Sequence, residues 1–341
     1  MTKKLLICLG THAEYIKMFP IIKELEDNNL SYEFISTGQH DLTELVETFG
    51  TSQPSFIVNQ RDGFSGQTGG AFKWGLQTLP KLIKRFMQED KKSIVVVHGD
   101  TISTSTTAVA ARIAGLRVAH IESGLRSGDL REPFPEEIMR IIVDWLAKYK
   151  FNPTEYGNTI YDTIRKLIDV RSKPINSKQY AVATIHRHEN IKSKERLTKI
   201  IKIINACPIP VYFAIHDNTK KKLEEYGLRL NANVFPMPTV PYKEFLNRYL
   251  KGASLILTDG GSMQEECAYF GIPCAIMRMQ TERKELLKSP SQFLTKLKIN
   301  PTIKFINREL KTSNYCFSNP YLRVEISTTI VAKLLQVLFC E

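Results

Sequence analysis

Short apolar runs alternate with helical patterns along the first half of the chain. The runs are rich in Val, Ile and Leu with little polar alternation, which is typical of parallel strands buried on both faces. They cover residues 5–10, 32–37, 93–100, 117–123 and 148–152. Between them, apolar residues recur at helical spacing over residues 16–28, 41–49, 70–88, 103–114 and 135–146. This alternation predicts a doubly wound parallel sheet.

The same alternation restarts after a polar, proline-containing linker, DVRSKPINSKQ (169–179). Strand-like runs cover residues 179–186, 210–216, 233–237, 254–261 and 273–278. Helical patterns cover residues 193–206, 219–226, 242–251 and 263–270, and a final one covers 326–339. We therefore predict an α/β protein with two Rossmann-like doubly wound domains facing a central cleft. Their predicted limits are 1–168 and 169–325, with 326–341 as a helix packing back on the first domain.

Composition and charge narrow the functional class. The 341 residues carry a net charge of +12, but the basic residues are scattered and form no nucleic-acid-binding motif, so no nucleic-acid partner is expected. The excess charge suits an anionic nucleotide or an anionic membrane surface, but a solvated lysine-rich surface explains most of it. The apolar run near the N-terminus is short and leads into polar sequence, so we interpret it as a strand and not a signal peptide. No apolar stretch is long enough to cross a bilayer.

The six cysteines lie mostly in apolar strand or helix contexts and include no C-x-x-C pair. Buried free thiols in the cytoplasm are the simplest interpretation. No cluster of His and Cys has the spacing of zinc ligands, so no metal site is expected.

A glycine-rich turn between a strand and a helix is the strongest local signal. The strand ends at Asp259, and Gly260, Gly261 and Ser262 open the helix. Backbone N–H groups at a helix N-terminus bind phosphate, and glycines allow the phosphate to approach. Glu266 in the first turn then suits ribose hydroxyls. A plain helix start explains the same residues, with Ser262 and the glutamates favouring the positive end of the helix dipole.

Three carboxylates follow strands of the first domain or open its helices. Asp100 and Glu122 each end a strand, and Glu136 opens a helix, with Arg140 one turn further on. Because the strands are parallel, these acids converge at one edge of the sheet. Crowded carboxylates raise one another's pKa, which provides an acid or base near neutral pH. Ordinary helix capping explains Asp100 and Glu136, but not Glu122.

Basic and imidazole side chains lie at the same strand ends. Lys17 is one turn into the first helix and suits a phosphate or a carboxylate. In the second domain His186 and His216 each close a strand, and His188 follows two residues after His186. Without a third ligand nearby, polar contacts to substrate are favoured over a metal site.

The ordered set of motifs closely resembles the non-hydrolysing UDP-N-acetylglucosamine 2-epimerases. The resemblance runs from residue 4 to about 285 and includes HGDT (98–101), HIESGLRSGDL (120–130), PFPEE (133–137), QEE (264–266) and MR-x-x-TER (277–283). It implies a glycosyltransferase-B type fold, a homodimer, and no requirement for NAD or a metal. It also implies that UDP is eliminated from UDP-GlcNAc and re-added to give UDP-ManNAc.

The resemblance also implies a role for each matching residue. Asp100, Glu122 and Glu136 are the expected catalytic carboxylates, and His186 assists departure of the diphosphate. The expected substrate contacts are Gly260, Gly261 and Ser262 for the diphosphate, Glu266 for the ribose, Arg283 for the nucleotide, Phe245 for the uracil, Lys17 for the sugar–phosphate side, and His12, Arg140 and His216.

Several positions depart from the family pattern. His12 and His188 stand where arginine is usual, the diphosphate loop reads Asp-Gly-Gly-Ser, and one residue is inserted between Phe245 and Ala253. The closing motif at 319–324 reads Asn-Pro-Tyr-Leu-Arg-Val. The segment NQRDGFSGQTGG (59–70) does not match the second UDP-GlcNAc site of the family. Because of this mismatch, we predict simple hyperbolic kinetics for this protein.

Other functions remain open on the sequence alone. A hydrolysing 2-epimerase would release UDP and free N-acetylmannosamine, and a related enzyme would act on another UDP-acetamido sugar. The fold also serves glycosyltransferases, which require an acceptor. A non-catalytic sensor of nucleotide sugars is disfavoured by the presence of all three carboxylates.

Overall fold

A computed structural model describes residues 3–60, 68–176, 178–312 and 319–340. Its strands, in chain order, are β1 (Leu5–Leu9), β2 (Tyr32–Ser36), β3 (Phe56–Ile57), β4 (Ile94–His98), β5 (Arg117–Ile121), β6 (Tyr149–Phe151), β7 (Ala181–Thr184), β8 (Val211–Ala214), β9 (Val234–Met237), β10 (Leu255–Thr258), β11 (Cys274–Ile276) and β12 (Gln292–Leu294).

The α-helices connect these strands. They are α1 (His12–Asp27), α2 (Thr43–Phe49), α3 (Thr68–Phe86), α4 (Ile102–Ile113), α5 (Glu136–Leu146), α6 (Pro153–Tyr156), α7 (Ile160–Leu167), α8 (His188–Ile191), α9 (Lys194–Asn205), α10 (Asp217–Tyr226), α11 (Tyr242–Glu244), α12 (Gly261–Phe270), α13 (Ile299–Glu309) and α14 (Ile326–Cys340). A π-helix spans Phe245–Leu250 and a 3-10 helix spans Lys284–Lys288.

The strands form two parallel six-stranded sheets. Their orders are β3-β2-β1-β4-β5-β6 and β12-β11-β10-β7-β8-β9. Numbered within its own half, each sheet has the 3-2-1-4-5-6 order of doubly wound nucleotide-binding folds, with the order reversing between β1 and β4 and between β7 and β10. The prediction of two doubly wound α/β halves is confirmed. Ligands of such sheets bind beyond the carboxyl ends of the strands at the reversal point.

Each sheet is covered by helices and has its own apolar core. All five residues of β1 and of β4 are buried, as expected for strands packed on both faces. One core joins β1, β4 and β5 to α4, and the other joins β7, β8 and β10 to α9 and α13. These cores fix the strand ends from which the candidate site residues project.

The chain divides into two compact units that differ slightly from the sequence-based limits. The first unit comprises residues 1–126, 134–163 and 321–341, and the second comprises 127–133 and 164–320. The short segment 127–133 therefore associates with the second unit, where Arg196 pairs with Glu132 at 2.9 Å. In the first unit, α14 packs against α1.

Two helix limits differ from the sequence prediction for local reasons. Helix α1 begins at His12 and not at residue 16, because Thr11 and Glu14 form a reciprocal capping box. The single helix predicted over 242–251 is instead α11 followed by the π-helix. A π-helix accommodates one extra residue within a helical turn, as the insertion predicted between Phe245 and Ala253 would require.

Candidate active site

Glu122 occupies a strained position at the carboxyl end of β5. Its φ is +65°, a left-handed conformation that costs a non-glycine residue on the order of 1–3 kcal/mol. The surrounding backbone maintains this turn, since Gly99 N–H donates to Ile121 O at 3.0 Å and Ser123 N–H donates to Phe151 O at 3.1 Å. The fold thus bends the chain sharply at the acid that the sequence had singled out.

Polar groups converge on Oε2 of Glu122. Lys17 forms a short buried ion pair with this oxygen, so lysine contacts a carboxylate, one of the two partners predicted for it. Asn158 Nδ2 donates to the same oxygen at 3.2 Å, and His98 Nε2 lies 3.7 Å from it. Lys17, Glu122 and Asn158 are all at most 6% exposed. A charge in this environment is stabilised only by such pairing.

Asp100 follows β4 and pairs with Arg140 of α5. Arg140 forms a short contact with Asp100 Oδ2 and lies 3.6 Å from Glu137 Oε2. Asp100 is not the cap of α4, because the hydroxyl of Thr101 accepts the N–H of Thr104 in that role. The capping explanation for Asp100 is therefore wrong. Glu136 is the first residue of α5, where the positive end of the helix dipole favours an acid.

Glu14 is a polar residue of this region that the sequence analysis missed. Its Oε2 accepts the N–H groups of Gly10 at 2.6 Å and Thr11 at 2.9 Å, and its Oε1 accepts the hydroxyls of Thr104 at 2.7 Å and of Thr101. Burial raises the pKa of Glu14, and these donors oppose the rise. Glu14 thereby joins the loop after β1 to the start of α4. The Thr-x-x-Glu capping-box pattern was the signal available in the sequence.

The sequence analysis also missed a hydrogen-bonded group formed by His120 and Asp144. Buried His120 contacts Asp144 through Nδ1 and donates from Nε2 to the carbonyl of Gly99 at 2.8 Å. Burial acts to raise the pKa of Asp144, but His120 and Arg126 lower it to about 2. Asp144 also accepts the N–H of Gly124 at 3.0 Å. His120 and Asp144 together link the loops that carry Asp100 and Glu122. Because His120 and Asp144 are 24 residues apart in sequence, no local motif predicts their contact.

The two histidines that depart from the family pattern lie at helix starts. His12 opens α1, and its Nε2 donates to the carbonyl of Asp41 at 2.7 Å. His188 opens α8, and burial together with the charge of Lys192 lowers its pKa. A neutral imidazole at position 188 carries no permanent charge, unlike arginine.

In the second unit, Asp259 organises the loop after β7. It is fully buried and accepts the N–H groups of His186 at 3.1 Å and Arg187 at 3.0 Å, and the amide of Asn190 at 3.0 Å. The rings of His186 and His216 lie 5.1 Å apart at the ends of β7 and β8. The structure thus brings these two predicted substrate contacts together.

Helix α12 starts directly after Asp259. Gly260 is its N-cap residue and makes no side-chain capping bond, so Ser262 does not serve as the cap. Below this end, Arg283 donates from Nε to Glu265 at 2.6 Å and forms a short contact with Glu282. Arg278 donates to Glu282 at 2.9 Å. Arg283 is only 3% exposed, so its direct contact with a nucleotide stays a prediction.

Glu266 accepts a hydrogen bond from a tyrosine that the sequence analysis missed. Tyr242 Oη donates to Glu266 Oε1 at 3.0 Å. Burial and the charge of Glu266 raise the pKa of Tyr242 well above its usual range, so the phenol remains a donor. Phe245, the first residue of the π-helix, stacks on Tyr249 with ring centroids 6.2 Å apart.

The resemblance implies that Glu266 binds the ribose of UDP, so we expect Tyr242→Phe to weaken UDP binding about threefold to tenfold. A lost hydrogen bond to a charged group is worth about 1.5 kcal/mol or less when the carboxylate can re-solvate. Isothermal calorimetry with UDP checks this. Tyr226→Phe is the matched control, since Tyr226 donates to the exposed carbonyl of Lys192 and lies outside the α12 region. Equal affinity in Tyr242→Phe and wild type would show that Glu266 holds its position without the phenol.

Membrane-spanning helices and metal sites were searched for among the residues that the structure describes. Within the described ranges, no helix has the length and apolar character needed to cross a membrane. Among these same residues, no group of three or more His, Cys, Asp and Glu side chains is arranged to hold a metal ion. Cys316 and residues 61–67 of the predicted second-site segment lie outside the described residues.

Comparisons with known proteins identify the family to which the sequence is similar. The sequence profile of a family described as UDP-N-acetylglucosamine 2-epimerase matches residues 23–159 and 155–335. The UDP-N-acetylglucosamine 2-epimerase of Methanocaldococcus jannaschii is 33% identical over 331 residues, which cover 85% of this chain and 88% of the relative. A UDP-2,3-diacetamido-2,3-dideoxy-D-glucuronate 2-epimerase of Pseudomonas aeruginosa is 31% identical over 315 residues, covering 83% of this chain and 86% of the relative.

The fold is also that of a solved member. A crystal structure of the Methanocaldococcus jannaschii UDP-GlcNAc 2-epimerase, in complex with UDP-GlcNAc and UDP, aligns with a TM-score of 0.82 and 30% identity over 97% of this chain and 99% of that chain. The likeness confirms the predicted α/β fold of the glycosyltransferase-B type. The chain belongs to the UDP-N-acetylglucosamine 2-epimerase family, whose members are isomerases.

Proposed function

We propose that this protein interconverts UDP-GlcNAc and UDP-ManNAc by eliminating and re-adding UDP. A base removes the C2 proton, the C2–H electron pair forms the C1=C2 double bond, and the bond from C1 to the diphosphate oxygen breaks. The products are 2-acetamidoglucal and UDP. The diphosphate then attacks C1 again while C2 is protonated on the opposite face. The electron pair of the broken C1–O bond leaves with UDP and returns with it, so there is no net oxidation or reduction and the reaction needs no NAD.

The observation that carries this proposal is the environment of Glu122. Its carboxylate is buried, sits on a strained turn at the end of β5 and is paired with Lys17. Backbone strain of this kind is concentrated at functional sites. Protonation of C2 on opposite faces requires two acid–base groups. Two further carboxylates are available in the same unit: Asp100, which follows β4 and pairs with Arg140, and Glu136, which begins α5.

The residues around α12 support UDP binding. The helix N-terminus presents backbone N–H groups beside Gly260, Gly261 and Ser262, which suits a diphosphate. Glu266, held by Tyr242, suits the ribose hydroxyls, and Phe245 offers an aromatic ring to the uracil. His186 and His216 provide polar contacts for the diphosphate as it leaves. Arg283 supports this end of α12 through Glu265 and Glu282 in addition to any contact with the nucleotide.

Proton NMR of UDP-GlcNAc incubated with the enzyme in heavy water tests the proposal, with a chelator present and no added NAD. We expect new UDP-ManNAc signals and replacement of H2 by deuterium in both sugars. Release of free N-acetylmannosamine would identify a hydrolysing enzyme, and sugar loss only with an acceptor would identify a glycosyltransferase. Turnover of UDP-2,3-diacetamido-2,3-dideoxy-D-glucuronate but not UDP-GlcNAc would move the assignment to the activity of the Pseudomonas relative.

We also propose that the enzyme is a cytoplasmic homodimer. Helix α3 packs against α4, and α4 packs against α5. These three neighbouring helices expose large apolar side chains, namely Phe72, Leu76, Ile113, Ile141 and Trp145. Large apolar side chains exposed on neighbouring helices suit a protein interface, and two-fold symmetric pairing is the commonest arrangement. The buried free thiols of Cys8, Cys207, Cys267 and Cys274 support a reducing compartment.

We expect Trp145→Glu to convert the dimer to monomers at micromolar concentration. Trp145 is 82% exposed on α5, and burying a charge in place of a central tryptophan typically weakens an interface by at least ~30-fold. Sedimentation velocity measures the change. Val170→Glu is the matched control, because Val170 is 86% exposed on a loop of the second unit. A dimer that persists in Trp145→Glu would place the interface elsewhere.

A further inference from the structure

Hydrogen bonds at both ends of its amide orient the side chain of Asn158, and one of them reaches the candidate base. Its Oδ1 accepts the N–H of Ile160 at 3.1 Å at the start of α7. This bond defines which end of the amide is the oxygen, so Nδ2 is the end that faces Glu122 Oε2 at 3.2 Å. Asn158 is 2% exposed. Its side chain therefore offers the carboxylate a donor whose direction is set by the fold.

The backbone of Asn158 is tied to the segment that returns to the first unit. Asn158 N–H donates to the carbonyl of Tyr321 at 3.0 Å, and Tyr321 is fully buried. The chain re-enters the first unit at residue 321. Just before Asn158, Gly157 has a φ of +90°, and a Cβ there would lie 2.7 Å from the side chain of Ile326. Hydrogen bonds therefore fix both the side chain and the backbone of Asn158.

We propose that Asn158 is a positioning residue for Glu122, whose amide holds the charged carboxylate in the orientation needed to remove and return the C2 proton. Lys17 neutralises the charge, but its ammonium rotates about a flexible stem, whereas the N–H donors of Asn158 lie in an amide plane that the bond from Ile160 fixes. A donor to the charged form also favours that form over the protonated acid. The inference rests on the proposed epimerase function, because it assigns a role within that reaction.

The substitution Asn158→Asp keeps the size and shape of the side chain but replaces the amide donor with a charged acceptor. Aspartate keeps an oxygen for the N–H of Ile160 and keeps the backbone bond to Tyr321, but places a second acceptor against Glu122. Two carboxylates in contact compete for one proton, so the pH at which Glu122 becomes active moves upward by ~1 unit or more. We expect kcat near neutral pH to fall at least ~10-fold and to recover partly at higher pH. Affinity for UDP should change less than twofold, since the proposed UDP contacts lie in the second unit.

The matched control is Asn152→Asp. Asn152 Oδ1 accepts the N–H of Thr154 at 2.9 Å and caps α6, so the same chemical change is made at a neighbouring helix start. We expect its kcat–pH profile to overlay that of the wild type. The positioning role is overturned if Asn158→Asp also overlays the wild type, or if Asn152→Asp shifts the profile equally.

Thermal unfolding separates this inference from the proposed function. If Asn158 contacts Glu122, Asn158→Asp lowers the Tm at pH 8, and the loss is smaller when Glu122→Gln removes the opposing charge. Coupled Tm values in a protein that epimerises no UDP-sugar would refute the proposed function and leave the contact standing. An active epimerase with additive Tm changes and an unshifted pH profile would refute the role of Asn158.

Discussion

Glu122→Gln should lower the turnover of UDP-GlcNAc at least ~100-fold while leaving the fold intact, as is usual when an acid–base group is lost. Glutamine keeps the shape of the side chain and can still accept from Lys17 and Asn158 through its oxygen. It cannot take up the C2 proton. Exchange of H2 with heavy water, measured by NMR, should fall in parallel with epimerisation, because both require the same proton transfer.

Glu33→Gln is the control for this substitution. Glu33 is also a partly buried carboxylate of the first unit that pairs with cations, Lys4 and Arg85, but it lies near the amino end of β2, away from the carboxyl ends of the strands. Its turnover should stay within about twofold of the wild type, since changes away from a site rarely alter chemistry. If Glu122→Gln retains near wild-type exchange with a normal Tm, another of the carboxylates is the base.

The positions of the strand ends were predictable because parallel strands carry a strong one-dimensional signal. The continuous apolar run of β4 ends where the chain leaves the core, and Asp100 follows almost at once. A polar residue at that point has to lie at the edge of the sheet, whatever the details of packing. The same reasoning located Glu122 and Asp259. What it could not supply was the left-handed φ of Glu122, which depends on how β5 meets β4 and β6.

The partners of the charged residues were not predictable from spacing. Arg140 follows Glu136 by one turn on the same helix, but it forms a short contact with Asp100 and lies 3.6 Å from Glu137 Oε2. Asp100 lies 40 positions earlier, and only the packing of α5 beside α4 brings the two together. Asn158 and His120 escaped notice for the same reason. Their hydrogen bonds join segments that are distant in sequence, so no periodicity or local motif reports them.

The type of helix near the candidate site of the second unit was also not predictable from the sequence. Apolar spacing over 242–251 fits an α-helix, and one extra residue does not disturb that pattern enough to reveal a π-helix. The insertion was visible only by comparison with the family pattern. Within the π-helix, the rings of Phe245 and Tyr249 stack with centroids 6.2 Å apart.

Gly261→Ala should destabilise the protein by several degrees in Tm and weaken UDP binding at least ~10-fold. A Cβ at Gly261 would lie 2.4 Å from Arg283 Nη1 and 2.9 Å from Glu282 Oε1. Arg283 cannot swing away without leaving Glu265 and Glu282, which are buried with it. Overpacking of this kind costs about 1–3 kcal/mol, and a displaced start of α12 misdirects the N–H groups proposed to hold the diphosphate.

A double-mutant cycle with Arg283→Lys distinguishes this clash from a general effect of alanine at position 261. Lysine lacks the Nη1 atom that the new Cβ would meet, so part of the strain is already absent in Arg283→Lys. We therefore expect Gly261→Ala to cost less in that background, in both Tm and UDP affinity measured by calorimetry. Residues in contact commonly show couplings of about 0.5–3 kcal/mol, well above experimental error. Additive losses would mean that Arg283 does not support the start of α12, and that the glycine is required for another reason.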